Sequence, residues 1–404
     1  FESSNKLDGQ LAHAIERIFG ALGRKLGYKI KGVDTGYHLR GKSVPLHDAR
    51  NDNSVKPICF YFPQYHVIPE NEKWWGKGFT EWNNVKNGKP LFRRHYQPKI
   101  PGELGYYNLD EVAVAERQAK LARDSGIHGF CYYYYWFNGK KLLNKPIERM
   151  LETKKPDFPF CVCWANENWT RVWDGRDDKI LMKQSFSKED CNKFIDEMAP
   201  YFGDKRYIRV NGKPLLVIYR IDNVLNPIEF IASLRDAAKR NGFEIHISLV
   251  QSFSRENPTK YGFDSAIEFP PSKPEIPSSK DKVSNLSKNF KGEIFDYNKV
   301  FEKFSQRKKE DYTLFFGTTP GWDNASRRKE NSVVLINSNP ENYKKWLEHT
   351  VVKTKSCYRG DERLIFINAW NEWGEGCYLE PDSIYGEEYL KVTREVLEKY
   401  NLIR

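Results

Sequence analysis

The chain has 404 residues, of which 39% are hydrophobic and 15% aromatic, so it can bury a sizeable core as one large domain or two average ones. Its formal net charge is +11, from 65 basic and 54 acidic residues, but no Arg- and Lys-rich recognition motif accompanies that excess. We therefore expect a solvated basic surface rather than a nucleic-acid partner, and no apolar run reaches the roughly 18 residues that a transmembrane segment needs.

The seven cysteines favour isolated buried thiols over a disulfide framework. Four of them lie in or beside apolar, strand-like runs, and an odd number leaves at least one unpaired. This usage slightly favours a cytoplasmic location. Because the chain begins at Phe1 rather than Met, a removed signal peptide or an upstream domain stays open, and with it a periplasmic or secreted location.

Residues 1–56 are predicted to form an amphipathic helix and a connector outside the main domain. The connector, residues 36–56, is polar and irregular. We expect the helix to pack on the main domain, with a membrane-surface role as the alternative. The apolar residues that recur at helical spacing are Leu7, Leu11, Ile15, Ile18, Phe19 and Leu22.

From Pro57 onward, short apolar runs alternate with longer helical patterns. Runs that are apolar nearly throughout are typical of parallel strands buried on both faces. Eight of them, alternating with helices, predict an α/β fold, a (β/α)8 or TIM barrel, over residues 57–404. An open doubly wound sheet is the alternative, but no glycine-rich turn follows the first run. The runs are residues 58–62, 129–134, 160–164, 215–219, 245–250, 265–269, 314–318 and 364–369.

Tryptophans follow the predicted strand ends, which in a barrel of this kind form the catalytic rim. Ten of the eleven lie at or after a strand end, and only Trp346 falls in a helical pattern. An aromatic lining with polar tips suits a sugar, which offers apolar C–H faces and hydroxyl edges. We therefore expect a glycan-binding rim, although core packing alone could explain about half of these tryptophans individually.

Residues 366–381 carry the strongest chemical signal. They begin as a buried strand and continue into a polar, aromatic turn in which Glu372 and Glu375 are three residues apart. Two carboxylates at the C-terminal end of a strand are what acid/base chemistry at a glycosidic bond requires. A Glu-x-x-Glu pair is more often a surface ion-pair turn, but its place after the eighth run and its neighbouring tryptophans favour catalysis.

Further candidate binding residues also lie at or just after predicted strand ends. Glu167 is expected to bind substrate or to tune the charge of the site, and Asn166 and Asn168 are expected to hydrogen-bond sugar hydroxyls. The other candidates are Tyr65, His66, Trp75, Tyr134, Trp169, Trp322, Asn371 and Trp373.

Neither a metal nor a cofactor is predicted. The histidines form no His-x-His or His-Glu-x-x-His motif, and residues 174–178 lack the alternating oxygen ligands of a calcium loop. There is also no Gly-x-x-x-x-Gly-Lys phosphate loop, which disfavours nucleotide hydrolysis.

Five motifs in order resemble the WbsX-type proteins of bacterial polysaccharide gene clusters, which are commonly described as a glycoside hydrolase family 99-like domain. The resemblance runs from about Pro57 to the C-terminus. The motifs are Phe60-Tyr-Phe-Pro-Gln-Tyr-His66, Trp74-Trp-Gly-Lys-Gly-Phe-Thr-Glu-Trp82, Tyr132-Tyr-Tyr-Tyr-Trp-Phe-Asn-Gly139, Trp164-Ala-Asn-Glu-Asn-Trp169 and Trp370-Asn-Glu-Trp-Gly-Glu-Gly376.

Family 99 comprises retaining endo-α-1,2-mannosidases and endo-mannanases on a (β/α)8 barrel, with an Asn-Glu-Trp-x-Glu-Gly motif that maps onto residues 371–376. The resemblance implies that Glu375 is the general acid and later the base that activates water. It implies that Glu372 acts as a base on the sugar's own 2-hydroxyl, through a 1,2-anhydro sugar. Direct attack by a carboxylate on the anomeric carbon is the other retaining route. Gly374 departs from the motif, because family 99 usually has a histidine there.

The expected function is an endo-acting, retaining glycoside hydrolase that cleaves an α-linked mannose-like or deoxy-sugar polysaccharide. One alternative is a glycosyltransferase or transglycosylase in O-antigen or capsule assembly, although the chain contains neither Asp-x-Asp nor a nucleotide-sized Rossmann site. The other is a non-catalytic glycan-binding module, which would not need both glutamates.

Overall fold

The computed structural model describes residues 54–170, 180–272 and 274–401. The predicted N-terminal helix, most of the connector, Trp173 and the acidic turn at 174–178 lie outside these ranges.

Eight parallel strands close into a barrel, as the apolar runs predict. Each strand pairs with the next along the chain, and the eighth pairs back with the first. The (β/α)8 prediction is therefore confirmed. The strands are β1 Lys56–Tyr61, β2 Gly129–Phe137, β3 Phe160–Trp164, β4 Lys213–Ile218, β5 His246–Gln251, β6 Ser265–Glu268, β7 Thr313–Thr318 and β8 Leu364–Ile367.

Helices surround the barrel and follow most of its strands. Between β5 and β6 the described chain has only the 3₁₀ turn Pro258–Tyr261. None of the helices in the described ranges combines the length and apolar character needed to cross a bilayer. The helices are α1 Pro69–Trp75, α2 Glu81–Lys86, α3 Val112–Asp124, α4 Lys145–Thr153, α5 Lys188–Phe202, α6 Pro227–Arg240, α7 Tyr297–Ser305, α8 Ala325–Arg328, α9 Pro340–Cys357 and α10 Glu388–Asn401.

Short strands shape the loops around the barrel. Lys140–Leu142 and Arg209–Val210 extend the barrel strands β2 and β4 as antiparallel partners. The other pairs are Trp169–Thr170 with Ile180–Met182, Glu293–Asp296 with Val333–Ile336, and Asn371–Glu372 with Cys377–Tyr378.

The side chains of β2 alternate between the barrel interior and the helix layer, as strand geometry requires. Tyr133 faces inward, where its ring stacks on that of Phe60 at a centroid distance of 5.5 Å. Tyr134 faces outward and packs against Phe194 and Tyr201 of α5, at 6.3 and 6.1 Å. The run of four tyrosines in this strand therefore serves two different layers.

Two of the tryptophans counted on the rim belong to the helix layer instead. Trp136 and Trp164 meet edge to face at 5.5 Å, and Trp164 stacks on Phe194 at 4.0 Å. Both are fully buried, because they fill the space between the barrel and α5. Their role is packing.

Gly317 in β7 gives a test of the barrel's packing. A Cβ at this position would lie 2.7 Å from Cδ of Pro270 and would overlap the carbonyl of Glu268 on the neighbouring strand. We expect Gly317→Ala to lower the free energy of unfolding by about 1–3 kcal/mol, measured by urea denaturation.

Gly203, after α5, is the matched control. A Cβ there would lie 3.5 Å from the nearest atom, and its φ of −76° suits alanine. Gly203→Ala should leave the free energy of unfolding nearly unchanged. Equal effects of the two substitutions would contradict the close approach of β6 and β7.

Candidate active site

The glutamate pair lies on a tight hairpin that follows β8. Glu372 ends a two-residue strand paired with Cys377–Tyr378, and Glu375 ends the 3₁₀ turn between the two strands. Gly376 closes the turn with φ +57°, and a Cβ there would lie 2.8 Å from Cβ of Asp323. Since a left-handed backbone and so close an approach both favour glycine, the hairpin needs Gly376.

Arg327 binds three carboxylates at the centre of the site. Its Nε donates to Oε1 of Glu81 at 2.6 Å, and Nη2 donates to Oε2 of Glu372 at 2.8 Å. Nη1 lies 2.9 Å from Oε1 of Glu375. The three acids come from α2, after β1, and from the hairpin after β8, whereas Arg327 comes from α8, after β7. One guanidinium therefore joins loops from three adjacent strands.

The three carboxylates differ in their access to solvent. The side chain of Glu81 is 0% exposed and that of Glu372 7%, whereas that of Glu375 is 24% exposed. Arg327 itself is 5% exposed. Glu375 is therefore the member of the cluster that a substrate can most readily reach.

Burial and the charges of this cluster shift the pKa values of Glu372 and Glu375. Burial raises the pKa of Glu372 to about 8, with Arg327 opposing and the neighbouring carboxylates reinforcing the shift. Burial also raises the pKa of Glu375, again against the effect of Arg327. Three carboxylates around one cation cannot all stay ionised cheaply, so the cluster retains a proton near neutral pH.

Steric crowding in this site explains why position 374 is a glycine. A Cβ on Gly374 would overlap the carboxylate of Glu81 and lie 2.6 Å from Nε of Arg327. The carbonyl of Gly374 also accepts a hydrogen bond from Oγ of Ser326 at 2.8 Å. The ion pair thus fills the space into which a side chain at position 374 would project.

Three predicted binding residues lie beneath the pair and hold its hairpin. The Tyr65 hydroxyl donates to the carbonyl of Asn371 at 2.5 Å and accepts from the N–H of Trp373 at 3.2 Å. The Asn371 amide exchanges two hydrogen bonds with the backbone of Phe62, at 2.7 and 3.0 Å. Because Tyr65, Asn371 and Trp373 are fully buried, the structure places them as supports of the pair.

A further buried acid, Glu380, anchors this support. Its carboxylate accepts from Nε1 of Trp373 and Nε2 of Gln118, each at 2.6 Å, and from the Tyr107 hydroxyl at 2.9 Å. Burial raises the pKa of Glu380 to about 7, although the three donors oppose the shift. The Trp373 ring also stacks on that of Tyr378 at 3.7 Å, so its orientation is fixed from two sides.

An aromatic wall of Trp74, Trp75, Tyr135 and Trp169 stands beside the pair. The Trp169 ring lies 5.4 Å from those of Trp74 and Tyr135 and 6.3 Å from that of Trp75. Trp74 and Trp75 are half-buried and so keep apolar surface at the mouth. Burial raises the pKa of Tyr135; the charge of Glu372 adds to the shift and that of Arg327 opposes it, so Tyr135 is the member of the wall that lies near the pair.

Glu167 and Glu375 both lie close enough to Tyr219 to act on its hydroxyl electrostatically. Burial raises the pKa of Tyr219, and the charges of Glu167 and Glu375 both add to that shift. Glu167 is half-exposed and pairs with Nη1 of Arg220 at 2.6 Å. Asn166 is buried and holds the backbone of Arg220 through both ends of its amide, at 2.5 and 2.8 Å. Glu167 therefore adjoins the site, and Asn166 positions its partner.

The remaining candidates lie further from the pair. Asn168 accepts from the N–H of Gln184 at 2.7 Å, which ties down the hairpin after β3. His66 is fully buried, and burial lowers its pKa to about 4. Trp322 packs against the apolar cluster of α7 and α9, and Tyr134 faces α5. Within the described residues, none of these four side chains contacts Glu372 or Glu375, although Trp322 lines a cleft beside their hairpin.

Sequence reasoning missed Arg327, Glu81, Tyr133 and Tyr135. Glu81 stands inside the second quoted motif, and the two tyrosines are every second residue of β2, so both signals were present. Arg327 has no such local signal. No group of three or more His, Cys, Asp or Glu side chains suited to a metal ion occurs within the described ranges.

Comparison with known proteins agrees with the fold and with the quoted motifs. A family model described as "Glycosyltransferase WbsX" matches residues 57–393. Two proteins named "Uncharacterized protein WxcX", from two strains of Xanthomonas campestris pv. campestris, are each 42% identical over 343 residues. This alignment covers 85% of the chain and 49% of each relative, so the chain spans about half the length of these relatives.

Solved structures share the barrel. The glycoside hydrolase family 99 endo-alpha-mannosidase from Bacteroides thetaiotaomicron superimposes with a TM-score of 0.54 at 14% identity, covering 87% of this chain and 98% of that one. A "Glycoside hydrolase-like protein" gives a TM-score of 0.53 at 12% identity, with 86% and 95% coverage. At these identities the likeness concerns the fold. The predicted resemblance is confirmed, and the family match over residues 57–393 shows that the chain belongs to the WbsX family.

Proposed function

We propose that the chain is an endo-acting, retaining glycoside hydrolase in which Glu372 and Glu375 carry the chemistry. The observation that supports this most directly is the Arg327 cluster, where two carboxylates of unequal exposure and raised pKa share one cation at the barrel mouth. A general acid and a base are held side by side in such a cluster. The substrate class proposed is an α-linked mannose-like or deoxy-sugar polysaccharide.

Glu375 is assigned the acid role because it is the more exposed of the two. In the first step its carboxyl gives a proton to the leaving glycosidic oxygen as the bond to the anomeric carbon breaks. Glu372 accepts the proton of the 2-hydroxyl on the same sugar, and the 2-oxygen closes onto the anomeric carbon as a 1,2-anhydro ring. The reactive form is thus the one with the shared proton on Glu375 and with Glu372 ionised.

In the second step Glu375, now ionised, takes a proton from water. The hydroxide equivalent attacks the anomeric carbon from the face that the leaving group left, which opens the three-membered ring. Glu372 returns its proton to the 2-oxygen, and both glutamates recover their starting states. Two inversions at the anomeric carbon give net retention.

Arg327 acts as a positioning residue in this scheme. Its planar guanidinium fixes both carboxylates in one geometry, and its charge keeps their pKa values from rising further. Glu81 is fully buried and pairs with Nε of Arg327, so it offsets part of the positive charge and fixes the orientation of the guanidinium plane. In this scheme, Arg327 and Glu81 hold the two catalytic carboxylates in place, and no step uses a metal ion.

The family description favours a second candidate, transglycosylation. The same two steps transfer the sugar if an acceptor hydroxyl replaces water in the second step. The aromatic wall beside the pair offers apolar surface on which an acceptor sugar can stack. Adding short glycan acceptors and looking for elongated products distinguishes transfer from hydrolysis.

Glu375→Gln tests the assignment of the acid. Wild type and variant are incubated with α-mannan, rhamnan and O-antigen polysaccharides while anomeric protons are followed by NMR. Wild type should first release the same anomer as the substrate, and the variant should be slower by about 10²- to 10⁴-fold, because the proton donor is gone. Glycan binding should stay near the wild-type level, since the side chain keeps its shape.

Glu244→Gln is the matched control, because this glutamate is 77% exposed and lies just before β5 begins, at the end of the barrel opposite the pair. It should leave turnover unchanged. Cleavage by Glu375→Gln at the wild-type rate would rule out Glu375 as the acid, and release of the opposite anomer would rule out retention.

The pH dependence of kcat/KM tests the shared proton. Activity should fall at alkaline pH, above the raised pKa values of the pair, because the cluster then loses the proton that the acid needs. Arg327→Met removes the cation that holds both pKa values down, so the alkaline limb should move to higher pH. Arg327→Lys keeps the charge and should leave the limb near its wild-type position. A limb that stays fixed in Arg327→Met would show that it reports another group.

A further inference from the structure

A cleft of about 560 Å³ opens beside the hairpin that carries the glutamate pair. Its wall includes Gly376 and Asp323, and the N–H of Asp323 donates to the carbonyl of Glu375 at 2.6 Å. The other lining residues come from the chain that follows β1, β6, β7 and β8. The cleft therefore lies on the catalytic rim and is joined to the pair through the backbone.

Cationic side chains outnumber acidic ones in the lining of this cleft. They are Arg93, Arg94, Lys99 and Lys282. Lys99 pairs with Asp323 at 3.3 Å, and Lys282 pairs with an aspartate outside the lining. Arg93 and Arg94 are exposed, and neither guanidinium has a carboxylate partner within the part of the chain that the structure describes. Two positive charges are thus left for a ligand.

The two aspartates of the lining are already satisfied. Asp323 accepts from Nε2 of Gln97 at 2.6 Å and is bonded to Nε2 of His95 at 3.0 Å. Asp382 accepts from the Tyr378 hydroxyl at 2.8 Å and from two backbone N–H groups of its own turn, at 2.9 and 2.6 Å. The charge of Asp323 is offset by Lys99, and within the described residues neither aspartate forms an ion pair with Arg93 or Arg94.

The arginine loop is held in a fixed and unusual conformation. Arg94 has φ +65°, a left-handed backbone that a residue with a side chain seldom adopts. The N–H of Arg93 donates to the carbonyl of Ser284 at 2.9 Å, and the His95 ring stacks on that of Phe92 at 4.2 Å. Such strain persists where surrounding contacts enforce it, and it concentrates at binding sites.

We propose that this cleft binds an anionic group of the glycan, a carboxylate or a phosphate carried by a sugar beside the one that is cleaved. This inference rests on the proposed function and deepens it, because it makes the substrate an acidic polysaccharide. Arginine forks match both groups in two-pronged hydrogen bonds. Tyr96 and the half-buried Trp322 supply apolar surface for the ring of the same sugar.

Binding to Glu375→Gln tests the proposal without turnover. The probes are oligomers of polygalacturonate, phosphorylated mannan and neutral α-mannan of matched length, titrated by calorimetry at low and high salt. At least one acidic probe should bind more tightly than neutral mannan, and salt should weaken it. Adding Arg93→Gln and Arg94→Gln should weaken the acidic probe by about three- to thirtyfold and leave neutral mannan unchanged. The two acidic probes separate a carboxylate ligand from a phosphate ligand.

Lys239→Gln with Arg240→Gln is the matched control. These two adjacent, exposed residues lie at the end of α6, just before β5 begins. They have the same total charge as Arg93 and Arg94 but lie at the opposite end of the barrel. The control pair should leave acidic binding intact. If the control pair and the test pair weaken binding of the acidic probe equally, the cleft assignment is overturned. The loss would then follow from the lower net charge of the protein and not from the position of the arginines.

Other outcomes separate the cleft from the catalytic proposal. If wild type cleaves a neutral polymer and neither acidic probe binds better, the cleft assignment fails and the hydrolase stands. If acidic binding depends on Arg93 and Arg94 while no polymer is cleaved, the cleft assignment stands and the hydrolase fails.

Discussion

One guanidinium that binds two buried carboxylates and a third, partly exposed one is the interaction on which the site depends. Arg327 lies on a four-residue helix, and its partners lie on another short helix and on a hairpin, none of which has a core of its own. Without the cation, Glu81 would be a buried charge with no counterion, a change that typically costs about 3–5 kcal/mol. The contacts of Arg327 therefore stabilise the folded barrel and also shift the pKa values of the glutamate pair.

The same constraint explains how the chain departs from the family 99 motif that it resembles. Where that motif usually has a histidine, the Glu81–Arg327 pair occupies the space and leaves room only for Gly374. The two glutamates are thus held by a buried ion pair from neighbouring loops rather than through a side chain between them. The shared barrel is consistent with this difference, since the loops at the strand ends can change while the strands stay in place.

The barrel could be predicted from sequence because strands buried on both faces are continuous apolar runs, and all eight runs correspond to strands. Because such runs are apolar on both faces, the sequence does not show which side chains of a strand point into the barrel. In β2 the sequence predicts Tyr134 as a binding residue, yet Tyr133 and Tyr135 face the barrel interior and Tyr134 packs on α5. Arg327 could not be found at all, because it lies 246 residues from Glu81 and 45 from Glu372, and a buried ion pair leaves no local pattern.

The two sides of the barrel mouth differ in a way that bears on where a polymer would be cut. The aromatic wall is built from the chain after β1 and from β2 and β3, whereas the cationic cleft is lined from the chain after β6, β7, β8 and β1. The glutamate pair adjoins both. An enzyme that trims chain ends needs one side of its pair closed, whereas binding surface on both sides lets a chain pass across the mouth. For the hydrolase proposed here, stacking on one side and charge recognition on the other would favour internal cleavage, with specificity set by sugars on both sides of the broken bond.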